Sequence, residues 1–218
     1  MAARYTLIAG TQNWSSWSLR PYVALRATGA PFEMIVLRLR RPDSKEQILQ
    51  YSSAGKVPVL KIAEPGHNLS IWDSLAICET LAERHPEAGL WPDDPAARAL
   101  ARAMAAEMHS GFPDLRDQLS MDFTARKPLP ELREETRGQI ARVIESWNQA
   151  LTRHGGEFLF GRLSIADCMY APVASRFVTF GVELPGRTAE YVARIMALPA
   201  MRDWGAAAQQ EVEQGLTA

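Results

Sequence analysis

The hydroxyl side chains of one short segment are the first candidates for chemistry. The segment TQNWSSWSLRPY covers residues 11–22 and contains Ser15, Ser16 and Ser18. A hydroxyl group beside the positive end of a helix can stabilise a thiolate by donating a hydrogen bond to it. The structural alternative is that Ser15 and Ser16 are ordinary loop or capping residues. The segment therefore predicts either an anion-binding loop or a helix cap.

Two further polar pairs stand at the start of predicted helices. Asp73 and Ser74 precede LAICETLAERH, where either residue caps the helix or the free amide groups of its first turn bind a carboxylate. Ser164 and Asp167 have the Ser-x-x-Asp spacing of a capping box, in which both side chains satisfy groups at a helix N-terminus. We interpret the first pair as a candidate binding site and the second as a source of fold stability, not of catalysis.

The elements that must position these residues alternate between short strands and helices up to residue 85. RYTLIAG (4–10) is a continuous apolar run typical of a strand buried on both faces. The following helix should begin near Ser18 and end at Gly29, because Pro21 is tolerated only within the first turn of a helix. The remaining predicted elements are a strand at 32–39, a short helix at 43–52, an antiparallel hairpin of 57–63 and 69–72 with a loop longer than a tight turn, and a helix at 73–85.

The order βαβαββα predicts an α/β domain at residues 1–85. Its first two strands should be parallel, because a helix connects them. Residues 86–94 contain Pro and Gly and are interpreted as a linker. From residue 95 to 218 the apolar residues recur with helical spacing, so the second domain is predicted to be all-helical.

Composition argues against several functional classes. The 218 residues carry a formal net charge of −1, so there is no basic field that would attract nucleic acid or an anionic membrane surface. No apolar run approaches the roughly 20 residues of a membrane span, and the N-terminus lacks a signal-peptide pattern. Cys78 and Cys168 stand far apart, which fits neither a disulfide framework nor a metal-ligand spacing. We therefore expect a cytoplasmic protein with no metal.

Four motifs, which occur in order along the chain, resemble those of the cytosolic glutathione S-transferase superfamily. NWSSWSLR (13–20) is similar to the catalytic serine loop of the serine-type, zeta-like enzymes, and GKVPVL (55–60) to the segment with the family's cis-proline. WDSLAI (72–77) resembles the Glu/Asp-Ser-x-Ala-Ile motif that holds the glutamyl end of glutathione, and LSIADCMYAP (163–172) resembles the capping box of the helical domain. The resemblance implies a thioredoxin-like N-terminal domain, an all-α C-terminal domain and glutathione as co-substrate.

The resemblance also implies roles for the candidate residues at the glutathione site. Ser15 aligns with the family's catalytic serine and would donate a hydrogen bond to the glutathione sulfur, and Ser16 is the alternative donor. The Val57-Pro58 bond would be cis and would leave the backbone groups of Val57 free to pair with glutathione, as an added strand does. The remaining assignments are Ser74 to the glutamyl carboxylate, Asp73 to the amino group, and Lys56 either to the glycyl carboxylate or to solvent.

The second substrate is expected beside the sulfur, against the first long helix of the helical domain. Residues 104–119 should form that helix, which Pro113 should bend while freeing the carbonyl group of His109. The pocket residues predicted from the family's arrangement are Trp14, Met108, His109 and Phe112. The alternatives are that His109 is an ordinary helix residue, and that Trp17 either forms a wall of the pocket together with Trp14 or packs under the helix.

The resemblance favours an enzyme that adds the glutathione thiolate to a small hydrophobic electrophile. A zeta-like cis-trans isomerase acting on a maleyl-type diacid is the alternative, although Trp17 stands where that class has Cys, and Arg176 stands earlier in its helix than the class arginine. A third reading, from another functional class, is a non-catalytic protein-interaction module. The family also implies a homodimer.

Overall fold

The computed structural model describes residues 4–217, which form a four-stranded sheet with flanking helices followed by a helical region. Both parts agree with the predicted fold class. The elements are β1 (Arg4–Gly10), α1 (Ser16–Thr28), β2 (Phe32–Leu37), α2 (Ser44–Leu49), β3 (Val59–Glu64), β4 (His67–Trp72), α3 (Ser74–Arg84), a 3-10 turn (Pro86–Ala88), α4 (Pro95–Ser110), α5 (Pro113–Gln118), α6 (Glu134–His154), α7 (Ile165–Phe180), α8 (Gly186–Ala197) and α9 (Pro199–Glu213).

The sheet has the strand order β2-β1-β3-β4. β1 pairs with β2 in parallel and with β3 antiparallel, and β3 pairs antiparallel with β4. Leu7 packs into the main core, whereas its neighbour Ile8 packs against Ile48 of α2 on the other face of the sheet. The prediction that β1 is buried on both faces is therefore confirmed.

Helix α1 begins earlier than the sequence predicts. Its N-cap is Ser15, so Ser16 lies in the first turn of the helix and not in the loop, and Ser18 does not cap it. Pro21 consequently stands in the second turn, where its missing amide group removes one helical hydrogen bond. The predicted end at Gly29 is confirmed, because Gly29 has the left-handed conformation (φ 70°) of a helix C-cap.

The hairpin between β3 and β4 is tighter than predicted. Glu64 pairs directly with His67, so the loop consists of Pro65 and Gly66 alone. Gly66 has a φ of 78°, a conformation that a residue with a side chain adopts at a cost. β4 thus begins two residues before the predicted strand, and β3 begins two residues after its predicted start.

The long helix predicted at residues 104–119 is two helices. α4 ends at Ser110, and α5 begins at Pro113 after Phe112, whose φ of 59° turns the chain. Pro113 therefore begins a helix instead of bending one, which fits the preference of proline for the first helical position.

Helix α7 lies at the centre of the helical part and is buried along nearly its whole length. Ser164 and Asp167 form the predicted capping box at its N-terminus. One oxygen of Asp167 accepts hydrogen bonds from the amide and hydroxyl groups of Ser164, both at 2.8 Å, and the other from Leu159 and Tyr191, both at 3.1 Å. The buried Asp167 thus joins α7 to α8 and to the loop before α7.

One apolar core connects the sheet with the helical part, since residues of β1, α1, α4 and α7 belong to the same buried cluster. Cys78 and Cys168 are both buried and free. Within residues 4–217 no helix has the length and apolar character needed to cross a membrane. The domain bounds of 1–85 and 95–218 stay a prediction.

Candidate active site

A cleft of about 700 Å³ brings together residues from both parts of the chain. The loop before β3, the start of α3 and His109 of α4 all contribute to its lining. The lining residues are Trp17, Leu39, Ile48, Ala54, Gly55, Lys56, Val57, Pro58, Trp72, Asp73, Ser74 and His109. Six residues that the sequence nominates are therefore in one place: Lys56, Val57, Pro58, Asp73, Ser74 and His109.

The predicted cis bond between Val57 and Pro58 is confirmed. Neither the amide nor the carbonyl group of Val57 has a hydrogen-bond partner among residues 4–217. Because Val57 lines the cleft, both groups are available to an extended ligand backbone. Lys56 is exposed at the same edge.

Asp73 and Ser74 stand where the cleft meets the N-terminus of α3. Asp73 is the N-cap, and its Oδ1 atom accepts hydrogen bonds from the amide groups of Leu75 (2.9 Å) and Ala76 (3.2 Å). Its φ of 79° is unusual for a residue with a side chain, and such strain is concentrated at functional sites. The hydroxyl group of Ser74 is buried without a partner among the described residues, so it is available to form a hydrogen bond with a ligand.

His109 contacts Asp73 in the lining of the cleft. Its Nε2 atom lies 3.1 Å from Oδ2 of Asp73, and its Nδ1 atom is buried without a partner in the described part of the chain. Burial lowers the pKa of His109, an effect that outweighs the opposing influence of Asp73 and is reinforced by Arg20 and Arg116. The imidazole is therefore neutral near pH 7, which leaves Nδ1 as a hydrogen-bond acceptor when Nε2 donates to Asp73.

Ser15 and Ser16, the two serines predicted to contact the sulfur, do not line the cleft; both are buried at the start of α1, where the neighbouring Trp17 lines it. The hydroxyl group of Ser15 donates to Oγ of Ser18 at 2.8 Å, and Ser18 also accepts from the amide group of Gly10 at 3.1 Å. The hydroxyl group of Ser16 has no hydrogen-bond partner among residues 4–217, nor do the amide groups of Trp17 and Ser18. The start of α1 thus presents unpaired donors next to the cleft.

Trp17 contacts two arginine side chains that the sequence did not bring together. The guanidinium groups of Arg20 and Arg116 lie 4.2 and 4.8 Å from the centre of its ring, and the ring of His109 meets it edge-on at 5.4 Å. Burial lowers the pKa of Arg20 to about 9, with further lowering by Arg116 and Arg176. Arg20 supports Trp17 but makes no ion pair within residues 4–217. Only the sequence position of Arg20, one helical turn after Trp17, could have indicated this stacking.

Three of the four residues predicted for the second-substrate pocket do not line the cleft. Met108 and Phe112 are buried in the common core, because they lie on the face of α4 and in the turn that pack against the other helices. Trp14 is half-buried and stacks under Arg40, whose guanidinium group lies 4.3 Å from the centre of its ring. Trp17 takes the place that Trp14 was predicted to have.

The carbonyl group of His109, predicted to be free, is satisfied locally. Arg116 of α5 donates to it at 3.1 Å and also to the carbonyl group of Met108. No group of three or more His, Cys, Asp or Glu side chains within residues 4–217 is placed to hold a metal ion.

Comparison with known proteins identifies two matching domain models and several relatives of the chain. Residues 14–84 match the model of the glutathione S-transferase N-terminal domain, and residues 130–207 match that of the C-terminal domain. A maleylacetoacetate isomerase of Dictyostelium discoideum is 31% identical over 172 residues, which cover 75% of this chain and 77% of the relative.

Two solved structures are similar over nearly the whole length. A glutathione transferase homologue from Burkholderia gl BGR1 with bound glutathione is 26% identical, with a TM-score of 0.71 and coverage of 95% of this chain and 99% of the other. A maleylacetoacetate isomerase from Anaeromyxobacter dehalogenans, with bound dicarboxyethyl glutathione and citrate in its active site, is 25% identical, with a TM-score of 0.68 and coverage of 94% and 91%.

Proposed function

The chain belongs to the glutathione S-transferase superfamily and uses glutathione as co-substrate, and we propose that it adds the glutathione thiolate to a small hydrophobic electrophile. The observation that carries the proposal is the single cleft shared by Val57, Ser74 and Trp17. Within residues 4–217, the backbone groups of Val57, the hydroxyl group of Ser74 and the amide group of Trp17 at the start of α1 have no hydrogen-bond partner. These are the groups that a peptide with a terminal carboxylate and a thiol requires.

The energetic requirement for the thiol is modest. A free thiol has a pKa of about 8.5, so only about 3% is thiolate at pH 7. Lowering that pKa by about two units needs roughly 2.7 kcal/mol of preferential stabilisation of the thiolate. One hydroxyl donor together with the positive end of α1 is sufficient for this, because hydrogen bonds to a charged group contribute about 1.5–3 kcal/mol and helix ends about 0.3–1 kcal/mol.

Two serines compete for the role of donor. The family resemblance favours Ser15, whereas the hydrogen bonds favour Ser16, because the Ser15 hydroxyl group already bonds to Oγ of Ser18. Ser15 can donate to sulfur only if this bond breaks or if Ser18 becomes its donor. We propose that one of the two hydroxyl groups, and not both, contacts the sulfur.

The glutamyl and glycyl ends of glutathione suit polar and charged groups at the cleft. The unpaired hydroxyl group of Ser74 and the N-terminus of α3 suit the glutamyl carboxylate. The carboxylate of Asp73 suits the amino group, and the exposed Lys56 suits the glycyl carboxylate. Each assignment pairs opposite charges or a donor with an anion.

The electrophile would lie in the cleft beside Trp17 and His109, whose rings contact each other edge-on at 5.4 Å. The lining of the cleft also includes the apolar side chains of Leu39, Ile48 and Trp72, which favour a hydrophobic acceptor. Proximity to the thiolate in such a site supplies much of the rate acceleration of a bimolecular addition.

Isomerisation of a maleyl-type diacid is the second candidate, because the relative from Dictyostelium discoideum is a maleylacetoacetate isomerase. A test separates the candidates: retention on immobilised glutathione, followed by assays with a chlorinated aromatic acceptor and with maleylacetoacetate or maleylpyruvate. Retention with conjugation of the aromatic acceptor supports the proposal. Retention with isomerisation alone supports the second candidate, and failure to bind glutathione contradicts both and favours an interaction module.

We also propose a two-fold homodimer, which the family resemblance supports. Sedimentation equilibrium should give the mass of two chains, and a mass near that of one chain would contradict the proposal.

A further inference from the structure

The serine loop is held at its beginning by the far end of the chain. The carboxylate of Glu211, on helix α9, accepts hydrogen bonds from the amide groups of Gln12 at 2.8 Å and Asn13 at 3.0 Å. These residues lie 199 and 198 positions apart in sequence from Glu211. One carboxylate therefore binds two successive amide groups of the loop that leads to Ser15.

The surrounding contacts make this connection rigid. Trp204, also on α9, donates from Nε1 to the carbonyl group of Gln12 at 2.8 Å. Asn13 donates from its side chain to Asp122 at 2.8 Å, and its side-chain oxygen accepts from the amide group of Thr124 at 3.0 Å. Each of the two loop residues is thus bound by at least two groups of the helical part.

A buried carboxylate such as that of Glu211 is unusual in a contact that only stabilises the fold. Only 9% of the residue is exposed, and no cation pairs with it in the part of the chain that the structure describes. Burying an unpaired carboxylate is unfavourable unless hydrogen bonds compensate it. Here the compensating donors are the two loop amide groups, so the position of the loop and the charge of Glu211 depend on each other.

The contact with Glu211 lies only a few residues before the serines, so it affects their position. The amide groups of Trp14 and Ser15 donate to the carbonyl group of Thr11, at 3.1 and 2.8 Å, which closes the loop into one compact turn. A displacement at Gln12 and Asn13 is therefore transmitted to Ser15, Ser16 and the first amide groups of α1.

We propose that Glu211 is a positioning residue that sets the place of the serine hydroxyl groups relative to the glutathione sulfur. The inference rests on the proposed function, because it requires a thiolate at the start of α1. It predicts that removing the Glu211 carboxylate raises the pKa of the bound thiol, while the glutamyl and glycyl ends of glutathione still bind. A role in stability alone predicts a change in the melting temperature without a change in that pKa.

The test uses Glu211→Ala, Glu211→Gln and the control Glu213→Ala in the full-length protein. Glu213 is exposed on the same helix, and its carboxylate bonds only to Gln209, at 3.0 Å, within residues 4–217. The control removes the same charge without touching the loop. Glu211→Gln keeps one acceptor oxygen, so this variant should retain part of the function.

The measurements are the ultraviolet titration of bound glutathione, the kinetic constants for a chlorinated aromatic acceptor, and the melting temperature. For Glu211→Ala we expect the thiol pKa to rise by about half a unit or more, which is a roughly threefold loss in the thiolate-to-thiol ratio at neutral pH. We expect kcat to fall about tenfold, since small displacements of a catalytic group have large effects on rate, with KM for glutathione changed by less than twofold.

Each outcome decides the question. A raised thiol pKa in Glu211→Ala, an intermediate value in Glu211→Gln and no change in Glu213→Ala support the inference. An unchanged thiol pKa with a lower melting temperature overturns it, and if Glu211→Ala does not fold, Glu211→Gln is judged by the same criterion. A native protein whose bound thiol has an ordinary pKa overturns the proposed function itself, which separates that failure from this one.

Discussion

The Nε2 atom of His109 lies 3.1 Å from Oδ2 of Asp73, and this contact joins α4 of the helical part to the first residue before α3. Asp73 uses its other oxygen to cap α3, so one carboxylate fixes both the helix start and the orientation of the imidazole. Because burial lowers the pKa of His109, the pair consists of a neutral imidazole and a carboxylate near pH 7. Asp73 therefore keeps its negative charge available for a cationic group in the cleft.

His109→Ala should weaken glutathione binding moderately. Loss of the imidazole frees Asp73 to rotate out of the cleft, but the side chains of both residues are partly exposed, at 26% and 43%, so the effect is screened by solvent. We expect KM for glutathione to rise about two- to fivefold, equivalent to about 0.4–1 kcal/mol. His67→Ala, at an exposed position of β4, is the matched control and should leave KM unchanged. An unaltered KM in His109→Ala would contradict the role of the pair.

Ser15→Ala and Ser16→Ala should differ in the pKa of the bound thiol. The variant that removes the sulfur's hydroxyl donor should raise this pKa by about one to two units, because a hydrogen bond to an anion contributes about 1.5–3 kcal/mol. The other variant should change it little. Ultraviolet titration of bound glutathione measures both, with Ser120→Ala, an exposed loop serine, as control. Equal and small shifts in the two variants would assign the thiolate to the amide groups of α1 instead.

Arg20→Met should be tolerated better than Arg20→Ala. Arg20 is buried, two of its nitrogen atoms have no partner among residues 4–217, and burial lowers its pKa to about 9. Replacing such a charge with an apolar side chain of similar length removes a desolvation penalty, whereas alanine leaves a cavity. In urea unfolding we expect Arg20→Met to lie within about 1 kcal/mol of the native protein and Arg20→Ala to lose about 2–4 kcal/mol. The reverse order would show that the charge itself is required.

Asp167→Asn should reduce stability, and the loss should depend on pH. Burial raises the pKa of Asp167 to about 6, because it outweighs the hydrogen bonds from Leu159, Ser164 and Tyr191. A carboxyl whose folded pKa is raised stabilises the fold most below its unfolded pKa of about 3.9, and this stabilisation is lost as the pH rises through about 6. The native protein's advantage over Asp167→Asn in free energy of unfolding should therefore fall by roughly 2 kcal/mol between pH 4 and pH 7.

Ser164→Ala is the companion variant for this prediction. It removes one hydroxyl group of the capping box and should cost about 1 kcal/mol, with a much weaker pH dependence. Chemical denaturation at several pH values measures both variants. A constant difference between Asp167→Asn and the native protein across this range would contradict the raised pKa.

Local sequence was sufficient wherever a residue's role depends on its immediate neighbours. The apolar run of β1, the glycine that ends α1, and the Ser164–Asp167 capping box follow from hydrogen bonding and side-chain burial within a few residues. The cis bond before Pro58 was predicted only through the family resemblance, since a single Val-Pro pair favours trans.

Tertiary structure decided what depends on packing between distant segments. Pro21 suggested a helix start near Ser18, but α1, which packs against the core, begins at Ser16. Met108 and Phe112 have the apolar character of a pocket, yet the same character buries them between helices. Sequence alone could therefore nominate the groups at Val57, Asp73 and Ser74, because a motif carries them, whereas the contacts of Trp17, His109 and Glu211 arise only when separate parts of the chain meet.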